Sequence, residues 1–183
     1  GHNSCNSCHN VANYGVDNKA TSTGDAGKQG NRNSPTVFNA ALHNMQFWDG
    51  RAKDVEEQAG MPILNSVEMA IPHKGFLINK LSTVKPYAEM FKAAFPEEPK
   101  PLTYENLQKA IAAFERTLLT PSRFDKFMQG DLNAITPEEK EGLKVFITSG
   151  CASCHNGVGI GGGAIQKFGI VTDYRTLTKS TVN

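Results

Sequence analysis

No run of apolar residues in this 183-residue chain approaches the roughly 20 needed to cross a bilayer, so the sequence predicts no transmembrane helix. Net charge is equally scarce. Nineteen Lys and Arg against 18 Asp and Glu leave +1, which gives no electrostatic case for nucleic acid or an anionic membrane. Tryptophan occurs once. Cysteines are absent outside two close pairs, whereas a disulfide framework would scatter them. No targeting segment is visible. The chain opens at Gly1-His2-Asn3-Ser4-Cys5, already inside a chemical motif, so its natural beginning is expected to lie upstream. What remains is 39% apolar and 20% charged, which suits one ordinary domain or two small ones sharing support.

Both cysteine pairs are followed at once by histidine: Cys5-Asn6-Ser7-Cys8-His9 and Cys151-Ala152-Ser153-Cys154-His155. Cys-x-x-Cys-His is the attachment signature of c-type haem. Two thiols three positions apart can each add to one vinyl group on a haem edge, and the next residue offers an imidazole to the iron as proximal ligand. A thioredoxin-type redox pair would need a βαβ setting, which the sequence does not suggest. A zinc site of four cysteines would leave two adjacent histidines unexplained. Covalent haem implies maturation outside the cytoplasm, hence the periplasm or an equivalent space.

Residues 11–33 read as a long polar, Gly-rich loop. Residues 37–48 are apolar at near-helical spacing and end in the turn signal Asp49-Gly50. A short helix is predicted over 53–59, ended by Gly60-Met61-Pro62. A second is predicted over 75–95 with an interruption at Pro86. The clearest helix follows Thr103 as N-cap, with Leu107, Ala110, Ile111, Phe114 and Leu118 as its apolar face. Another begins at Thr136-Pro137-Glu138-Glu139, a capping box with proline at the first position, and leads into the second motif. A short strand is predicted at 168–171, after which the end is polar with no closing helix. The fold class is therefore mainly α, with two haem-binding units and long loops. The boundary is predicted at Thr120-Pro121-Ser122, giving units 1–120 and 121–183.

Larger blocks go beyond the haem motif. Ser4 to Asn10, then Asn31-Arg32-Asn33-Ser34-Pro35-Thr36-Val37-Phe38-Asn39, Gln46-Phe47-Trp48-Asp49-Gly50-Arg51-Ala52, Val67-Glu68-Met69 and the stretch 113–121 recur in order. In these blocks the chain resembles the bacterial dihaem cytochrome c peroxidases along nearly its whole length. The resemblance implies two cytochrome c-like haem domains: 1–120 as the N-terminal, low-potential peroxidatic domain, and 121–183 as the start of an incomplete C-terminal electron-transfer domain. It implies two covalent haem c groups, on Cys5 and Cys8 with His9 as iron ligand, and on Cys151 and Cys154 with His155. It further implies that Trp48 lies between the haems, that Glu68 moves protons during peroxide cleavage, and that Asn33 is a calcium ligand. Taken alone, Trp48 reads as a core aromatic, Glu68 as a solvated carboxylate and Asn33 as a turn residue.

Two departures from the family pattern matter. Many members cap the peroxidatic iron with a histidine in a Thr-Ser-x-Gly-His loop, but here the loop reads Thr21-Ser22-Thr23-Gly24-Asp25. Aspartate substitutes poorly for imidazole, so the first haem is expected to be five-coordinate or water-bound, with His43 and His73 as stand-ins of lower standing. The family also continues past Asn183, so the second haem's distal methionine is not assigned. The implied function is reduction of hydrogen peroxide to water, with electrons from a small c-type cytochrome or cupredoxin, in the periplasm and in a homodimer. The alternatives are a dihaem electron carrier without peroxidase activity, and a dihaem oxidase that modifies a partner protein.

Overall fold

The computed structural model describes residues 2–179. Its α-helices are α1 (Cys5–Cys8), α2 (Val55–Leu64), α3 (Lys74–Ser82), α4 (Lys85–Ala94), α5 (Tyr104–Glu115), α6 (Arg123–Met128), α7 (Pro137–Thr148) and α8 (Tyr174–Thr178). Short 3-10 turns occupy Val11–Asn13, Ala40–Leu42 and Cys151–Ser153. Among the described residues β pairing is limited to two isolated antiparallel bridges, Thr23 with Gln29 and Gln46 with Ala52. The mainly α fold class holds.

The helix starts follow their caps. The Thr103 hydroxyl accepts from the Asn106 amide, 3.1 Å, at the head of α5. Thr136 and Glu139 exchange bonds of 3.2 and 2.7 Å at the head of α7, so two of the three orphan amides left there by Pro137 are satisfied. Pro86 splits the 75–95 segment as expected and becomes the second residue of α4, where its missing N–H costs nothing. The short α6 is an addition to the sequence reading. Its signal was the Ser122–Asp125 pair, which forms a capping box.

Three expectations are corrected. The helix over 53–59 does not stop at Gly60-Met61-Pro62; α2 runs through them to Leu64. Tertiary packing overrides the breakers there. The Tyr104 hydroxyl donates to the Gly60 carbonyl at 2.5 Å, and Met69 and Ile71 amides take up the Pro62 and Ile63 carbonyls at 3.2 and 3.0 Å. The strand at 168–171 does not form. Gly169 adopts φ +80° in a turn, and Val171 is 98% exposed. The end is not without a helix, since α8 follows with the Asp173 carboxylate capping the Arg175 amide.

The core centres on α2 against α5. Val55, Ala59 and Ile63 meet Tyr104 and Ala112, all buried. Gly60 lies close under Gln108 at this crossing: a Cβ there would lie 2.4 Å from the end of that side chain and 3.1 Å from the Tyr104 ring. The buried side of α5 is turned from the expected one: Phe114 is 56% exposed, whereas Glu115 is buried. Beyond α5 the chain is clamped to the loop that precedes the Ala40–Leu42 turn. Asn39 bonds the Leu118 carbonyl through its amide, 2.8 Å, and Thr120 through its side chain, 2.7 and 3.0 Å. Many large apolar side chains stay on the surface, among them Phe76, Met90, Phe114, Phe168 and Val171. Surface of this kind suits a bulky apolar group or further protein.

Candidate functional site

The first motif is a single helical turn. Ser7 accepts from the Ser4 amide at 3.0 Å, and the His9 amide closes the turn on the Cys5 carbonyl at 2.9 Å. His9 then projects its ring so that Nδ1 lies 3.1 Å from the Pro35 carbonyl oxygen. A carbonyl can only accept, so Nδ1 carries the proton and Nε2 keeps its lone pair for a metal. Pro35 is held because Thr36 donates to the Tyr14 carbonyl at 2.6 Å.

The second motif reaches the same arrangement by another route. It follows α7 and the left-handed Gly150, φ +84°, as a 3-10 turn. The His155 amide bonds the Cys151 carbonyl at 3.0 Å, and Nδ1 faces the Ile160 carbonyl at 3.3 Å. Phe146 of α7 holds the ring edge-on, with centroids 6.1 Å apart. Both histidines are thus set as Nε2 ligands by a backbone acceptor. All four cysteines are free thiols. Among the described residues no three His, Cys, Asp or Glu side chains converge as a metal site. Free thiol pairs, each next to a tautomer-fixed imidazole, fit covalent haem.

The Phe47-to-Arg51 block is a tight loop closed by the Gln46–Ala52 bridge, the Gln46 amide meeting the Ala52 carbonyl at 2.8 Å. It presents Trp48 at the surface, 56% exposed, so the core reading of that residue is overturned. Its indole N–H donates to the Asn33 carbonyl at 3.0 Å. Residues 33–35 therefore serve both rings, Asn33 holding Trp48 and Pro35 holding His9. Arg32 and Arg51 both pair with Asp49, at 2.9 and 2.8 Å, and hold its carboxyl below the usual range against the opposing cost of desolvation. Gly50, φ +68°, is approached by Ile165 so closely that a Cβ would lie 2.1 Å from Cδ1.

Glu68 is half-buried at the end of the turn after α2. Its Oε1 accepts from Asn65 Nδ2 at 2.6 Å, and its backbone carbonyl accepts from the Asp25 amide at 2.7 Å. The 21–29 loop lies directly on this turn, because a Cβ on Gly24 would sit 1.8 Å from the Val67 carbonyl oxygen. Asp25 turns its carboxylate to the segment before α1. It accepts from the Asn3 amide, 2.9 Å, and from the His2 amide, and these bonds, Asn3 first, lower its pKa. Asp25 thus ties the loop to the first motif.

The two histidines considered as stand-ins are engaged elsewhere. His43 lies against Gly159 and Gly162 in the loop that follows the second motif. His73 uses Nδ1 to cap α3, accepting from the Phe76 amide at 3.1 Å. Asn33 is exposed, and the surface cavity beside it is lined by Asp17 and Ser34 as well. One exposed amide with its own carbonyl already bonded does not by itself fit a calcium site, and calcium enters no step below. The sequence reading missed Glu115, a buried carboxyl that lines a small cavity together with His9. Its signal was the shared face of Tyr104, Gln108, Ala112 and Glu115 at helical spacing.

Two turns of this geometry define a c-type haem protein with two attachment sites. The family model described as Di-haem cytochrome c peroxidase matches residues 1–133, and the chain belongs to that family. It is 49% identical over 169 residues to Cytochrome c551 peroxidase of Pseudomonas aeruginosa, covering 92% of this chain and 49% of the relative. It is 41% identical over 172 residues to Cytochrome c peroxidase Ccp of Escherichia coli, covering 93% and 36%. Similarity extends to Methylamine utilization protein MauG of Paracoccus denitrificans, 36% identical over 178 residues, covering 83% of this chain and 46% of that protein. Among solved structures, a MauG-like protein associated with microbial copper homeostasis superposes with a TM-score of 0.74 at 26% identity, over 87% of this chain and 47% of that one. The chain spans about half the length, or less, of these curated relatives.

Proposed function

We propose that this chain is the part of a periplasmic dihaem peroxidase that carries both haem-attachment motifs and the peroxide pocket. The reaction is reduction of one hydrogen peroxide to two waters, consuming two protons and two electrons from a small c-type cytochrome or cupredoxin. The observation that carries the reading is the matched pair of imidazoles, each protonated at Nδ1 by its bond to a backbone carbonyl. The names of relatives 41–49% identical support the choice of peroxide as substrate.

Cys5 and Cys8 would hold one haem c and Cys151 and Cys154 the other, in units 1–120 and 121–183, with His9 and His155 as proximal ligands. When bound, the haems would supply iron able to take peroxide at the first site and redox centres for electron transfer between the two. Glu68 works as the proton carrier. Its Oε1 is fixed by Asn65, and Oε2, which takes no hydrogen bond among the described residues, receives a proton from one peroxide oxygen and returns it to the departing one. Trp48, whose indole is oriented by the Asn33 carbonyl, would stand on the path between the haems, as the family resemblance implies. Asp25 is occupied by backbone amides and does not cap the first iron. A homodimer rests on family resemblance alone.

The test is peroxide turnover by the natural-length holoprotein with a reduced cytochrome donor, with and without prior one-electron reduction. Equal turnover in both is expected. Turnover only after reduction would show that another ligand gates the first haem. No turnover in either would leave the dihaem electron carrier as the reading.

A further inference from the structure

Two stretches of chain that carry different parts of the site meet at a pair of reciprocal contacts. One is residues 42–50, which includes Trp48. The other is residues 156–165, which follows the second motif and supplies the Ile160 carbonyl facing the His155 ring. The His43 ring lies over Gly162 so closely that a Cβ there would be 2.6 Å from Cδ2 and 3.0 Å from Cγ. In return the Ile165 side chain lies over Gly50, where a Cβ would run into Cδ1. Both glycines also hold positive φ, +77° and +68°. Gly157, in the same loop and with φ +75°, has nothing within 4 Å, so the close approach belongs to Gly162 and not to the loop as a whole. Between the two contacts the Asn44 amide donates to the Gly162 carbonyl at 3.3 Å.

Each side of this pair is tied down locally. On one side, the buried Gln46 side chain donates to the Ala40 and His43 carbonyls at 2.8 and 3.4 Å, and its amide closes the Trp48 loop on Ala52. On the other, Asn156 Nδ2 donates to the Ala152 and Ser153 carbonyls inside the second motif, at 3.2 and 3.0 Å. The Gly161 amide returns to the Asn156 carbonyl at 2.9 Å, and the Ile160 amide to Gly157 at 3.0 Å. The second motif and its loop therefore form one body. Bonds already described join the other stretch to the first motif: Trp48 is held by the Asn33 carbonyl, and His9 by that of Pro35. At these contacts, a body built on His9 touches a body built on His155.

We infer that His43 and Ile165 are positioning residues: seated on Gly162 and Gly50, they fix the separation of the two attachment sites and so the rate at which an electron passes between them. This rests on the reading of both motifs as haem sites. Ile165 is 44% exposed and His43 is exposed too, so neither adds much to the core. What they add is register. A side chain seated in a glycine notch resists sliding, because closely packed atoms give way only by moving as a whole. Electron passage between two centres falls steeply with their distance, so a small slip would be felt there first.

The experiment is one-electron reduction of the natural-length holoprotein by a pulse of reducing radical, following the electron's redistribution between the haems by their separate optical bands. Gly50→Ala drives a methyl against Ile165 Cδ1 and should slow redistribution by about tenfold, since small misplacements of reacting centres have large effects on rate. Adding Ile165→Val removes that Cδ1 and should restore the rate. The backbone strain of alanine at φ +68° is common to both variants, so the rescue isolates the contact with Ile165. The reduction potentials of both haems should keep their parent values throughout. If Gly50→Ala does not accumulate as holoprotein, Ile165→Ala combined with His43→Ala serves instead, because both side chains lie at the surface, and it too should slow redistribution. An unchanged rate in the variant measured, a Gly50→Ala defect that Ile165→Val fails to relieve, or a shifted potential at either haem overturns the inference. A mass measurement showing no haem on either cysteine pair would instead overturn the functional reading on which it rests.

Discussion

Glu115 should write its presence into the pH dependence of folding. Its carboxyl titrates at about 7 in the folded chain, against an ordinary value of 4.5, because burial penalises the charge. The unfolded chain therefore ionises this group first as pH rises. Stability contributed by the protonated form is whole below 4.5, falls between 4.5 and 7, and is lost above 7. One pKa unit corresponds to about 1.4 kcal/mol, so the loss between pH 5 and pH 8 amounts to about 2.5 kcal/mol. Glu115→Gln has no such group and should show none of it. Urea unfolding of both holoproteins at several pH values, followed by helix circular dichroism, reads the difference. The gap between variant and parent should widen by about 1 M urea in midpoint from pH 5 to pH 8, with an unchanged slope. The depressed carboxyls of Glu56, Glu139 and Asp173 act in the opposite sense and at lower pH, and they are common to both proteins, so they cancel. Parallel profiles, offset by a constant, would refute burial as the cause that raises the Glu115 carboxyl.

Three substitutions test the packing around the site. Tyr104→Phe removes the 2.5 Å bond to the Gly60 carbonyl and should cost about 1 kcal/mol in urea unfolding; no measurable change would mean the bond does not support the α2–α5 crossing. Gly60→Ala places a methyl 2.4 Å from Gln108 Nε2 and should break that side chain's 2.8 Å bond to the Glu56 carbonyl, a loss of about 1 kcal/mol that alanine's better helix propensity offsets, so the urea midpoint should move little; a large drop would show that Gln108 cannot yield. Gly24→Ala pits a methyl against the Val67 backbone oxygen and should lift the 21–29 loop off the Glu68 turn. Both haems should remain attached while peroxide turnover falls about a hundredfold, the range of a lost acid–base group; full turnover would show that the loop does not position Glu68.

Much of this molecule was legible because its signals are local. Thr103 and Thr136 fixed helix starts through bonds within one turn, and each Cys-x-x-Cys-His carries its chemistry in five residues. Pro86 divided its helix where its missing N–H demands. What failed depended on partners far along the chain. Gly60 and Pro62 look like a stop until Tyr104 arrives from 44 positions away to bond the Gly60 carbonyl. Phe114 looks like core and Glu115 like surface, because the apolar pattern of α5 does not say which side meets α2. Trp48, read alone as a core aromatic, is turned outward by its bond to Asn33. The partners of His9 and His155 are backbone carbonyls, at Pro35 and Ile160, and a backbone acceptor leaves no mark in a sequence. Asp25 was recognised as a departure, yet its role as a tie to Asn3 needed the folded chain.

The short span from Asn33 to Pro35 has a consequence for how this protein can change. Its two outer carbonyls hold an indole and an imidazole, and proline fixes the backbone at one of them. The separation of the two rings is thus gauged by a ruler of three residues. Side chains along it can be exchanged, but inserting or deleting a single residue would rotate one carbonyl away from its ring while leaving the other in place. Length, rather than composition, is what this segment has to keep, and variants built here should be designed as substitutions only.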